Sequence, residues 1–193
     1  RKEEVELVYD QASKAPKSIE AIYSNVAYAA IIDKFIRASP EREKEFGNVS
    51  SFIRQVLLLQ KEGDPALVFA HVKRIYDRFV AEKAKQAIAP LFLAAKTPTG
   101  VLRSSITGSS VISNAREAFI TSTSNHIAPH ILRHLYDPLL AKCYKLIQGS
   151  LLNKFVRSPH YDYILNLNIK ENQPVSLDDF KVCDFLGEGS FGQ

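Results

Sequence analysis

The chain ends in Leu186-Gly187-Glu188-Gly189-Ser190-Phe191-Gly192, and this glycine spacing is the first feature with the makings of chemistry. Residues without a Cβ let successive backbone N–H groups approach an anion closely, so such a loop can cradle phosphate. A glycine hexad by itself is also what a surface turn looks like. The residues before it argue for more than a turn, because Phe180, Val182 and Phe185 alternate with Lys181, Cys183 and Asp184, a strand pattern.

His126, His130 and His134 are spaced four apart and would share one face of a continuous helix. Imidazoles at that spacing can bind Zn²⁺. Pro129 falls inside the run, and with no Cys or carboxylate expected to complete a site, the reading is a solvated helix edge and no metal. Asn48-Val49-Ser50 fits a glycosylation sequon that a cytosolic protein never presents to that machinery. Ser and Thr residues without a paired His and Asp point away from a hydrolase. Ser104, Ser105 and Thr107 follow Arg103 in a Thr/Ser/Gly-rich stretch, where phosphorylation would set new negative charge opposite Lys and Arg.

The elements that must position these groups are mostly helical. From Ser18 to Ala38 apolar residues fall at Ile19, Ile22, Tyr23, Val26, Ala30 and Phe35, with Asn25 as a break between two helices. Ser39-Pro40 ends the run, since the residue before proline disfavours the α region. Gly47-Asn48 reads as a turn, followed by a helix over Val49 to Lys61. Asp64-Pro65 starts another, capped by Asp64 and burying Val68, Val72, Ile75, Tyr76 and Phe79. Ala84 to Ala95 favours helix, Lys96 to Ser110 reads as a loop, and a helix is expected from Ser113. Ile127 to Gln148 is helical again, its second segment starting at Pro138 with Asp137 as cap. Gly149-Ser150 closes it and opens a short helix through Phe155, and Ser158-Pro159 starts one more turn. Asn166 to Asp178 lacks helical period and reads as an extended connector.

Length and composition set the frame. The chain has 193 residues, 46% hydrophobic and 24% charged, enough to bury a core without disulfides. With 8 Gly and 9 Pro it is neither collagenous nor of low complexity, and its apolar runs are too short to span a membrane. Cys143 and Cys183 cannot make a disulfide framework and fit a reducing compartment. A net charge of +4 allows weak attraction to a membrane surface and does not point to nucleic acid, because acidic and basic residues are interspersed. The start at Arg1, without Met, reads as a piece of a longer protein.

The glycine ending and its Leu177-Asp178-Asp179-Phe180 lead-in resemble the opening of a protein-kinase catalytic domain, in particular the AGC class of Ser/Thr kinases. The resemblance implies ATP and Mg²⁺ as cofactors of the parent kinase, with Leu186 to Gly192 over the ATP phosphates. The third-strand lysine, the catalytic-loop Asp and the metal-binding Asp are not in this sequence. The fragment is therefore expected to be no enzyme and to hold no cofactor itself.

The helical part resembles the regulator of G-protein signalling (RGS) homology domain that precedes the catalytic domain in G-protein-coupled-receptor kinases. His71-Val72-Lys73-Arg74-Ile75-Tyr76-Asp77 looks like that family's fourth-helix motif. Leu135-Tyr136-Asp137-Pro138, with Leu139, Leu140 and Ile147, looks like its seventh helix, and Asn153 to Ser158 resembles its eighth. The resemblance implies an all-α, RGS-like bundle of about nine helices in two subdomains. The expected organisation is a helical flank over 1–17, the RGS homology domain over 18–165, a linker over 166–178 and the truncated kinase start over 179–193. The stretch between Val80 and Ile127 looks longer than the family's equivalent, as a surface loop would.

RGS domains that accelerate GTP hydrolysis hold the switch loops of a Gα subunit and do no chemistry themselves. Carried onto this sequence, Asn48 matches the first Asn position and Leu146 an apolar contact. Ser150 stands where an acidic contact is expected, Leu151 next to it, and Lys154 where the family has Arg. Losing the carboxylate removes a charge-assisted bond, and Lys for Arg loses a planar bidentate donor. The implied role is thus a regulatory, protein-binding module rather than a GTPase activator. Its implied partners are its own kinase domain, a Gα subunit and an activated receptor, in the cytoplasm with recruitment to the plasma membrane. An active GTPase-activating domain and a plain helical scaffold are the competing readings.

Overall fold

A computed structural model describes residues 16–88, 106–124 and 127–172. Within them the chain is all-α, with no strand among the described residues. Pro16–Ile164 form one compact unit, and the described residues 165–172 belong to a second.

The first break is a shared cap. Asn25 has extended backbone between α1 (Ile19–Ser24) and α2 (Val26–Arg37), and its side-chain oxygen accepts from the N–H groups of Ala27 and Tyr28. Ser18 caps α1 by accepting from Ala21, and Ser39 caps α3 (Pro40–Gln60) by accepting from Arg42. These short polar side chains satisfy N–H groups that a helix start leaves without partners.

α3 runs straight through Gly47-Asn48, where a turn was expected. Phe46, Val49, Phe52, Ile53, Val56 and Leu59 form one buried stripe across that point. Burying a side chain such as Phe46 contributes about 1.5–3 kcal/mol, which outweighs the ~1 kcal/mol helix penalty of glycine. A Cβ on Gly47 would meet Glu43 Cγ at 3.4 Å, an ordinary contact. Gly47→Ala is therefore expected to raise unfolding stability by up to about 1 kcal/mol in urea titration.

α4 (Pro65–Ile75) starts at Asp64, which accepts from Ala66 N–H, and passes into a π turn at Tyr76–Val80. Helix was expected again from Ala84, but the described residues 81–88 are turns and irregular chain. Ala81 is extended, and the strand of chain beyond it bonds back, Gln86 N–H to Arg78 O at 3.1 Å and Ile88 N–H to Phe79 O at 3.2 Å. Ile88 is fully buried, so its anchoring replaces a helical ladder.

α5 spans Ile106–Ser124, so the loop expected up to Ser110 ends earlier. Local Ser, Thr and Gly content argues against helix, yet Ile112, Ala115 and Phe119 are buried. Phe119 stacks on Tyr76 with centroids 4.0 Å apart, and Arg116 Nε donates to Val80 O at 2.8 Å. Docking on the π turn fixes the helix, which then propagates cheaply toward Ile106.

α6 (Pro129–Leu132) and α7 (Asp137–Ile147) are separated by turns at 133–136. Asp137 does not cap α7 as expected. It is the first helical residue, and its carboxylate accepts from Gln60 Nε2 at 2.7 Å and pairs with His134 Nδ1 at 2.9 Å. Nor does Gly149-Ser150 close the helix. A π turn at Gln148–Leu152 carries the run directly into α8 (Asn153–Phe155), because Ile147, Leu151 and Phe155 continue one buried edge.

α9 spans Pro159–Asn172, so the connector expected from Asn166 is helical through Asn172. Of the expected N-terminal flank, Pro16 and Lys17 are not helical; a proline there lacks the N–H a helix needs. Pro16 O instead accepts from Tyr161 Oη at 3.1 Å. Residues 1–15, the rest of the connector and the start expected for a kinase at 179–193 lie outside the described residues.

α3 is the hub of the Pro16–Ile164 unit, packing against α1, α2, α4 and α7, while α4 meets α6 and α5 meets α7 and the first π turn. Phe52 sits edge-on to both Phe79 and Tyr136 at 5.7 and 6.1 Å.

Candidate functional site

The contact positions carried over from the sequence stand on two of these packed elements. Leu146 is half-buried near the end of α7, Ser150 is exposed in the following π turn, and Lys154 is exposed on α8. One unbroken helical run therefore carries all three at four-residue spacing. Asn48 is half-buried on α3, the helix that packs against α7. No hydrogen bond or ion pair among the described residues ties Asn48 to the other three. The exposed groups are a hydroxyl and an ammonium, both suited to donating hydrogen bonds to a partner surface. The glycine loop, Leu186 to Gly192, lies outside the described residues.

The sequence did not foretell a buried polar chain centred on Ser50, two residues after Asn48 on α3. Ser50 Oγ donates to Asp33 Oδ1 at 2.5 Å, which leaves its oxygen to accept from Tyr23 Oη at 2.7 Å. Asp33 Oδ2 accepts from Arg54 at 2.6 Å and Arg37 at 3.4 Å. A Ser hydrogen-bonded to a carboxylate invites comparison with hydrolases. Here the third member is a phenol, whose pKa burial drives far up, and not the imidazole that such a triad uses as its base. The signal was present: Asp33 interrupts the buried stripe of Ala29, Ile32 and Ile36, and Arg37 follows one helical turn later.

Among the histidines, His130 and His134 are exposed and His126 lies outside the described residues. A carboxylate does sit beside His134, that of Asp137, which corrects the sequence reading. No group of three metal-ligating side chains occurs among the described residues. Cys143 is free and fully buried, and burial pushes its thiol far above the ordinary value, so it is held as an unreactive thiol.

His71 on α4 has a buried Nε2 without a hydrogen-bond partner. Desolvation, then the Arg74 charge, lowers its pKa, with Glu62 opposing. A depressed histidine pKa adds stability above its unfolded value of 6.5, and that contribution disappears as pH falls. Urea midpoints of wild type should therefore fall more than those of His71→Gln between about pH 7 and about pH 5.5. Equal falls in both proteins would contradict the assignment.

No helix among the described residues is long and apolar enough to cross a membrane. No protein-family model matches the chain, and no curated protein matches it either.

Proposed function

We propose that residues 18–165 are an RGS homology domain of a receptor-kinase-like Ser/Thr kinase. In this reading the helices form an RGS-like bundle of two subdomains that docks on the catalytic domain and binds a Gα subunit. The observation that carries it is how the motif-bearing segments meet. Tyr136, from the Leu-Tyr-Asp-Pro motif, is fully buried and donates its hydroxyl to Val72 O of the fourth-helix motif at 3.0 Å. The third motif contributes Phe155, fully buried between Phe35 and Tyr161, and Ser158, whose hydroxyl donates to Phe155 O at 2.6 Å. Each of the three stretches thus buries a motif residue within the Pro16–Ile164 unit, and this supports the reading.

The proposed Gα contacts are Asn48, Leu146, Ser150 and Lys154, with the activated receptor as a further partner. Exposed Ser150 offers no carboxylate to order a switch loop, so the domain binds without activating GTP hydrolysis. Leu186 to Gly192 would belong to the parent kinase and its ATP and Mg²⁺, in the cytoplasm at the plasma membrane.

Binding of Gα proteins in their GDP, GDP–aluminium-fluoride and GTP-like states tests this, alongside single-turnover GTP hydrolysis. Binding without acceleration is the expected result. Acceleration abolished by Asn48→Ala would reassign the domain as a GTPase activator. Absence of binding in every state would leave a helical scaffold.

A further inference from the structure

Among the described residues, a concentration of positive charge falls on side chains other than the proposed Gα contacts. It lines a cleft of about 820 Å³ bounded by Ala70, Lys73, Arg74, Asp77, Arg78, Lys83, Lys85 and Gln86. Among the described residues lining it, five cationic side chains face one carboxylate.

The fold brings these charges together across a reversal of the chain. Lys73 and Arg74 come from the last turn of α4, Arg78 from the π turn, and Lys83 and Lys85 from the returning segment. That segment is clamped by the Gln86-to-Arg78 and Ile88-to-Phe79 backbone bonds and by a hydrogen bond from Arg78 Nε to Gln86 Oε1. Asp77 is engaged by Lys73 at 2.6 Å. Among the described residues Arg74, Lys83 and Lys85 have no acidic partner. Like charges held this close repel one another, and a bound polyanion relieves that repulsion. Arg74 is also felt at His71, whose pKa it helps to lower.

We propose that this cleft binds a ligand carrying several phosphate groups on a small non-aromatic frame, of the inositol polyphosphate type. The cleft is open to solvent and has room for a ligand of small-molecule size. Among the described residues no aromatic side chain lines the cleft, where a nucleotide base would need a platform for stacking. Ammonium and guanidinium groups spread over three chain segments suit phosphates displayed around a ring better than one compact anion. The same chemistry comes from two sources, a free inositol polyphosphate or a phosphoinositide headgroup in a membrane. This site is independent of the Gα reading.

Titration calorimetry of the 193-residue chain with inositol hexakisphosphate, and co-sedimentation with phosphatidylcholine vesicles with and without phosphatidylinositol bisphosphate, tests it. The expected result is saturable binding in at least one arm, weakened by added salt. Lys83→Gln/Lys85→Gln, and separately Arg74→Gln, should each weaken it by about tenfold or more. Lys145→Gln, an exposed lysine on α7, should leave it unchanged, and thermal midpoints confirm that each variant is folded. Binding to the free compound alone assigns a soluble ligand; binding to the doped vesicles alone assigns a membrane headgroup. The proposal is overturned by no binding in either arm, by equal affinity for inorganic sulfate, or by cleft variants that bind like wild type. Tighter, cleft-dependent binding of an acidic peptide or an RNA oligomer overturns it in favour of a macromolecular partner.

Discussion

Phe52→Ala is expected to lower the unfolding free energy by about 3–5 kcal/mol in urea or thermal denaturation. Phe52 is fully buried on α3, the helix that packs against α1, α2, α4 and α7. Its ring meets Phe79 of the first π turn and Tyr136 ahead of α7, both edge-on. Truncation removes the transfer energy of the ring and leaves a cavity that three separate elements cannot close together, because each is fixed by other contacts. Phe69→Ala makes the comparison, since Phe69 is 42% exposed on α4. A cost for Phe52→Ala below about 1.5 kcal/mol would mean that the ring lacks the packing described.

The second large effect is expected at Asp33. Asp33→Ala deprives Ser50 and Arg54 of their acceptor in one step, and loss of such charge-assisted bonds costs about 2–3 kcal/mol. The two partners do not suffer equally. Ser50 is fully buried and keeps only the Tyr23 phenol, whereas the Arg54 side chain is 46% exposed and can turn to water. Most of the cost therefore falls on the hydroxyl side. A double-mutant cycle between Asp33→Asn and Arg54→Gln should give a coupling of no more than about 1 kcal/mol. Ser50→Ala removes the middle of the chain, and its cost should lie below that of Asp33→Ala. A larger coupling in the cycle would shift the weight to the ion pair.

Much of the helical framework was legible because its signals are local. Asn25, Ser39 and Asp64 stop and start helices through hydrogen bonds reaching two or three residues, so each could be read from its neighbours. The misreadings share a cause as well. Gly47-Asn48, Gly149-Ser150 and the Ser/Thr-rich start of α5 are locally poor helix formers. In each case buried residues on both sides, or a docking surface such as Tyr76 against Phe119, outweigh propensities of about 1 kcal/mol or less per residue. Asp137 failed as a cap for a similar reason: Gln60, far away in sequence, and His134 take up its carboxylate.

The candidate contacts were legible only as positions. Leu146, Ser150 and Lys154 fall at helical spacing in the sequence, but Gly149 hid the fact that one uninterrupted run carries them. That Asn48 lies on the helix packed against α7 is a matter of tertiary packing. The basic cleft was invisible for the same reason. Lys73 and Lys85 are twelve positions apart, and only the reversal at Ala81 brings them to one opening.

By itself, then, the sequence determined that the described residues are all-α and where several helices begin, because period and capping act within one or two turns. Tertiary structure alone decided which polar groups are buried together, at Tyr23, Ser50 and Asp33, and which charges face one cleft. Those outcomes depend on contacts between residues far apart in the chain, whose energies appear only once the helices have packed.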